Sequence, residues 1–178
     1  MFKIKVSEAI IQHCQDQVEL YDFGQRYTAN GTKEQQLTGI IGQSVIMDIF
    51  GLPPVNGADG FDGGVDIVYN DKSIDVKTMG RTTDVREYYV NNFIGLQMYF
   101  TPDIYIFCSF NKVNKELTVC GWVTKNELQE RAHFYPKGSI RTRSDGTTFK
   151  TFSDLYEISN RDLHDVQSAE DLKRAMTI

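Results

Sequence analysis

Residues 64–78, GVDIVYNDKSIDVKT, constrain the fold of this chain more than any other stretch. Val65, Ile67, Ile74 and Val76 alternate with polar positions on either side of an Asn70-Asp71-Lys72 turn, the pattern of a β-hairpin rather than of a helix. Side chains alternate across a strand, so Asp66 and Val68 share a face of the first strand, and Asp75 and Lys77 share a face of the second. An antiparallel hairpin sets these rows alongside each other. Two carboxylates and an ammonium would then be neighbours.

The elements around the hairpin point to an α/β fold. Ser7 is placed to cap a helix with Ile10, Ile11, Cys14 and Val18 at helical spacing, ending before Asp22-Phe23-Gly24. Asn30 and Gly31 make a turn, and Thr32 with Gln35 forms a capping box. The helix it opens carries Leu37, Ile41, Val45 and Ile49 as a stripe, with Gly39 and Gly42 small enough for close approach to a sheet. Gly51, Pro53 and Pro54 end it, and VNGADGFDGG leads as a loop into the hairpin.

Beyond the hairpin, EYYVNN at 87–92 reads as a strand and FIGLQMYF as a short helical stretch, with one longer helix across both as the alternative that periodicity leaves open. DIYIFCSF at 103–110 and LTVCGWV at 117–123 read as paired buried strands, followed by a helix capped by Thr124 and Glu127. Loop and edge-strand material then precedes a terminal helix in AEDLKRAM. The order of elements predicts a mixed β-sheet flanked by helices, and 178 residues suit a single domain over 1–178.

Cys14, Cys108 and Cys120 have no C-x-x-C spacing and read as buried reduced thiols; His13, His133 and His164 form no metal-binding pair. Trp122 and the tyrosines 88, 89, 99 and 105 need only packing to explain them. No stretch is apolar enough for a membrane helix and the first residues turn polar too soon for a secretory signal, so no membrane partner and a cytoplasmic location are expected. The net charge of −5 argues against non-specific affinity for a polyanion, yet it is uneven. Residues 63–150 hold twelve Lys and Arg against ten Asp and Glu, between two acidic flanks. Lys137, Arg141, Arg143 and Lys150 face only Asp145 in KGSIRTRSDGTTFK, a local excess suited to phosphate contacts.

Hydrolysing a phosphodiester requires an activated water and compensation of charge on the phosphate, and a hard cation held by carboxylates supplies both. Asp66, eight residues, then Asp75-Val76-Lys77 resembles the motif of the PD-(D/E)XK nuclease superfamily, whose members include restriction endonucleases. The D-x-K string alone says little, since it recurs as Asp171-Leu172-Lys173 in a charged tail with no hairpin before it. The Gly-rich lead-in and the two apolar strands distinguish the first copy.

The resemblance implies a restriction-endonuclease-like sheet, with Asp66 and Asp75 holding Mg²⁺ or Mn²⁺ and Lys77 acting on the water or the phosphate. GIIGQ at 39–43 is similar to the family's G-x-x-G-E helix segment, with Gln43 in place of the glutamate. Its carbonyl oxygen can still ligate, at the loss of one charge. Glu34 is nine residues earlier, about 13 Å along a helix, and cannot replace it. The expected activity is metal-dependent endonucleolytic hydrolysis of DNA, with Lys72, Arg81, Lys137, Arg141 and Arg143 on the backbone. An enzyme that cuts both strands has reason to pair as a homodimer. The alternative is a nuclease fold that has lost its chemistry and binds nucleic acid or a protein partner.

Overall fold

The computed structural model describes residues 1–24, 31–60, 63–95, 99, 101–142 and 146–177. Along the chain these form β1 (Phe2–Lys5), α1 (Glu8–Leu20), α2 (Lys33–Ile49), β2 (Ile67–Tyr69), β3 (Lys72–Arg81), β4 (Val90–Ile94), β5 (Ile104–Asn111), β6 (Glu116–Thr124), α3 (Lys125–Arg131), β7 (His133–Tyr135), β8 (Ile140–Thr142), β9 (Thr148–Lys150), β10 (Leu155–Ser159) and α4 (Ala169–Ala175). A five-stranded sheet runs in the order β1-β6-β5-β3-β2. β3 and β5 are parallel, and the remaining pairs are antiparallel. The architecture is the mixed α/β sheet expected.

Ile74 and Val76 of β3, with Ile104, Ile106 and Cys108 of β5, share a core with Ile11, Cys14 and Val18 of α1 and Ile40, Ile41 and Val45 of α2. The Ser7 cap and the boxes at Thr32–Gln35 and Thr124–Glu127 all form where the sequence pattern puts them. Glu127 carries more than its cap. Partial burial pushes its pKa up, but hydrogen bonds from Thr124 and His164 outweigh that and bring it down to about 2. Gly42 is the tight point of the α2 contact: a Cβ there would lie 2.9 Å from Thr78 Cβ and 3.0 Å from its Cγ2. Gly39, also expected to allow close approach, has nothing within 4 Å of such a position.

The opposite face of the sheet is covered as well. A three-stranded sheet, β4-β10-β7, and α3 bury Phe93, Ile158 and Leu128 against Tyr105, Phe107 and Val123. All eight residues of β5 are buried, as a strand covered on both sides must be. β8 and β9 form a separate two-stranded arm.

Some expectations change. β1 pairs with β6 as an edge strand, but FKIK is too short for its alternation to stand out before the first helix. The strand expected at 87–92 begins at Val90 and runs to Ile94, because the chain turns first, with Tyr89 N–H donating to Arg86 C=O. Phe93 and Ile94 are therefore strand; residues 96–98 and 100 of the expected helical stretch lie outside the described residues, as does Asn30. The three cysteines are buried and unpaired. Among the described residues no helix is long and apolar enough to cross a membrane.

Candidate active site

The β2–β3 hairpin closes through Asn70 and Asp71, both at positive φ (48° and 60°), between the paired Tyr69 and Lys72. A two-residue loop with both central residues at positive φ has the hand that matches strand twist, and Asn and Asp tolerate it. This fixes the register. Ile67 faces Ile74, and β3 continues seven residues beyond that pair, paired there with β5 alone.

Asp75 and Lys77 point to the face covered by the second sheet, so the polar row is not solvent-facing. Asp75 is 1% exposed and the Lys77 side chain 13%. Lys77 Nζ lies 2.6 Å from the carboxylate and donates to Oδ1. Asp75 Oδ2, though also 2.6 Å from Nζ, has no hydrogen-bond partner of proper geometry. A buried carboxylate oxygen held by an ion pair alone keeps acceptor capacity for a water or a cation.

Asp66 stands differently from the sequence expectation. β2 begins at Ile67, so Asp66 precedes the strand, and its Oδ2 accepts a hydrogen bond from the Val76 backbone N–H at 2.7 Å. The carboxylate takes the place of a backbone acceptor where β2 has stopped. It therefore meets β3 at the sheet edge, between Asp75 and Lys77, instead of lying in their row on the face. Gln43 donates from Nε2 to the Asp66 carbonyl oxygen at 3.2 Å, tying α2 to the same point. Residues from a helix, a loop and a strand, 34 positions apart at most, meet here. Glu34 lies elsewhere, paired with Lys112 at 2.6 Å.

The basic residues expected on a nucleic-acid backbone are differently placed. Lys137 is exposed. Lys72 is half-buried near Asp103, whose carboxyl is held below its ordinary range by hydrogen bonds from the Ser73 backbone and hydroxyl, and by Lys72. Arg81 is drawn inward: it donates to Val90 C=O at 3.0 Å and lies 4.7 Å over the Tyr89 ring. Arg141 pairs with buried Glu157 and stacks 3.8 Å over Tyr135. Both arginines hold the second sheet and its arm in place. Arg143 lies outside the described residues.

Tyr105 lies beside Asp75 and is not distinguishable in the sequence from a packing tyrosine. It pairs directly with Asp75 across the parallel β3–β5 ladder, is 1% exposed, and its hydroxyl has no hydrogen-bond partner. Burial, and then the Asp75 charge, push its phenol far above its ordinary pKa. A hydroxyl-bearing residue in an otherwise apolar strand is the available signal; its partner depends on a register that sequence does not reveal.

Asp66, Asp75 and the Gln43 amide offer oxygen donors only, two of them carboxylates, and Asp75 Oδ2 makes no hydrogen bond. That chemistry fits a hard cation such as Mg²⁺, which keeps several waters and takes one or two protein carboxylates. Among the described residues no group of three or more His, Cys, Asp and Glu is placed to hold a metal, so a site here would be of this lean kind. A scan against protein-family models and comparisons with curated proteins and with solved structures found no match.

Proposed function

We propose that this chain is a divalent-metal-dependent endonuclease of the PD-(D/E)XK kind that hydrolyses phosphodiester bonds in DNA. The observation that supports it best is the convergence of Gln43, Asp66, Asp75 and Lys77 around the Val76 peptide, linked by the Gln43–Asp66, Asp66–Val76 and Lys77–Asp75 hydrogen bonds. Mg²⁺ or Mn²⁺ held by Asp66 and Asp75, with Gln43 beside them, would supply the charge that activates water and neutralises the phosphate. Lys77 brings an ammonium to the same carboxylate and would donate to the attacking water or to a phosphate oxygen. Gln43 holds the Asp66 backbone, so the carboxylate keeps its position without a third negative charge. Lys137, exposed after β7, would meet the phosphate backbone.

A second reading, a nuclease fold that binds nucleic acid or a protein without cutting, is favoured by one observation: Lys77 neutralises Asp75 within the folded chain, so that carboxylate has a counter-charge without a cation. Cleavage separates the two. Supercoiled plasmid should be nicked in Mg²⁺ or Mn²⁺ and left intact in EDTA, and Asp75→Asn and Asp66→Asn should each lower the rate by at least about a hundredfold while keeping the wild-type circular dichroism. Salt-sensitive DNA binding without metal-dependent cleavage by the wild type would favour the second reading instead.

A further inference from the structure

Two buried polar atoms on neighbouring strands stand at the same level of the sheet: the Tyr105 hydroxyl, which has no hydrogen-bond partner, and Asp75 Oδ2, which is ion-paired with Lys77 Nζ at 2.6 Å but makes no hydrogen bond. Asp75 Oδ2 and the Tyr105 hydroxyl come from residues that face each other in the parallel β3–β5 register. Alternation sends both side chains to the same face, and both residues are 1% exposed. They do not hydrogen-bond to each other.

The Tyr105 ring is well accounted for by packing, with the Phe93 and Phe107 rings each 6.4 Å away and nearly parallel. Phenylalanine would fill that slot equally well. The hydroxyl is thus the one part of the residue that packing does not explain. An unsatisfied buried hydroxyl is destabilising, and a carboxylate oxygen can accept a second contact beside its ion pair. A single polar occupant touching both atoms would satisfy the hydroxyl and use that remaining acceptor capacity. Water suits the pair: it donates to the carboxylate oxygen, while the phenol can donate to it or accept from it.

We propose that Tyr105 is a positioning residue of the Asp75 site, its hydroxyl and Asp75 Oδ2 jointly holding a water of the hydration shell of a hard divalent cation. The inference rests on the metal reading of that site. It adds a residue from β5 to a set drawn from α2, the loop before β2, and β3. Tyr105 acts through the water and not on the substrate, so its effect belongs in metal affinity.

The test is calorimetric titration of Mg²⁺ into the full chain, with melting temperatures in EDTA, for wild type, Tyr105→Phe and Tyr156→Phe. Tyr156 shares the same apolar cluster without pairing with Asp75, and controls for loss of a phenol from it. Tyr105→Phe should bind Mg²⁺ about tenfold more weakly than wild type, the lower end for loss of an outer-shell partner. In EDTA it should melt at or above the wild-type temperature, because no hydrogen bond is lost. Tyr156→Phe should leave the affinity unchanged. Wild-type affinity in Tyr105→Phe, or a drop of several degrees in its melting temperature in EDTA, would overturn the assignment. If the wild type itself neither binds Mg²⁺ nor cleaves DNA, the metal reading fails and this inference with it. If the wild type does both and Tyr105→Phe matches it in affinity, only the role of Tyr105 fails.

Discussion

Replacing Lys77 with methionine is expected to destabilise the fold by about 3–5 kcal/mol, read from the shift in denaturant midpoint at unchanged slope. The substitution keeps most of the side chain's volume and removes its ammonium. Asp75, 1% exposed, then keeps a carboxylate whose hydrogen bond from Lys77 Nζ at 2.6 Å is gone. An uncompensated buried charge is far more costly than a well-packed neutral pair. The double variant Asp75→Asn/Lys77→Met should therefore recover most of the loss, since exchanging both members of a buried ion pair is often close to neutral. A Lys77→Met protein within about 0.5 kcal/mol of wild type would contradict the buried pair.

Gly42→Ala carries the second large effect. The added methyl would overlap Thr78 Oγ1 and lie 2.9 Å from its Cβ, on β3. Neither neighbour can yield easily, because Thr78 is β-branched and Gly42 sits within a seventeen-residue helix. Overpacking of this kind costs about 1–3 kcal/mol, and the upper end is expected here. Gln43 follows directly, so the displaced helix should also weaken its hydrogen bond to Asp66. Thr78→Ala in the same chain removes Oγ1 and Cγ2, and Oγ1 makes no hydrogen bond that would be lost. The double variant should regain more than half of the stability, although the contact with the Thr78 Cβ remains. Chemical denaturation of the two single variants and the pair reads this directly; an unperturbed Gly42→Ala would show that α2 does not lie so close to β3.

Much of this architecture is legible in the amino-acid sequence, for physical reasons that differ by element. The hairpin is readable because its alternation and its Asn-Asp turn agree, and the helix starts because capping boxes are local. Gln43 can be linked to the hairpin by likeness of motif, and it does reach Asp66, although through the backbone carbonyl. What is not legible depends on pairing over long distances. Nothing local indicates that a second sheet covers the Asp75 face, so the hairpin pattern does not show that one of its charged positions is among the most buried polar residues. The exact start of β2 determines whether Asp66 lies in the row with Asp75 or turns to the sheet edge, and strand ends are the least certain part of a periodic pattern. Tyr105 requires the parallel register of β5, and the inward turn of Arg81 and Arg141 requires knowing where Val90 and Glu157 lie.

The central claim, that Asp66 and Asp75 form a cation cradle, is tested most directly by a crystal structure of the protein soaked in Mn²⁺, with the ion located by its anomalous scattering. An ion bonded to both carboxylates, with a coordinated water against the Tyr105 hydroxyl, is the expected result. Manganese absent from this position at millimolar concentration, with Lys77 still seated on Asp75, would contradict it.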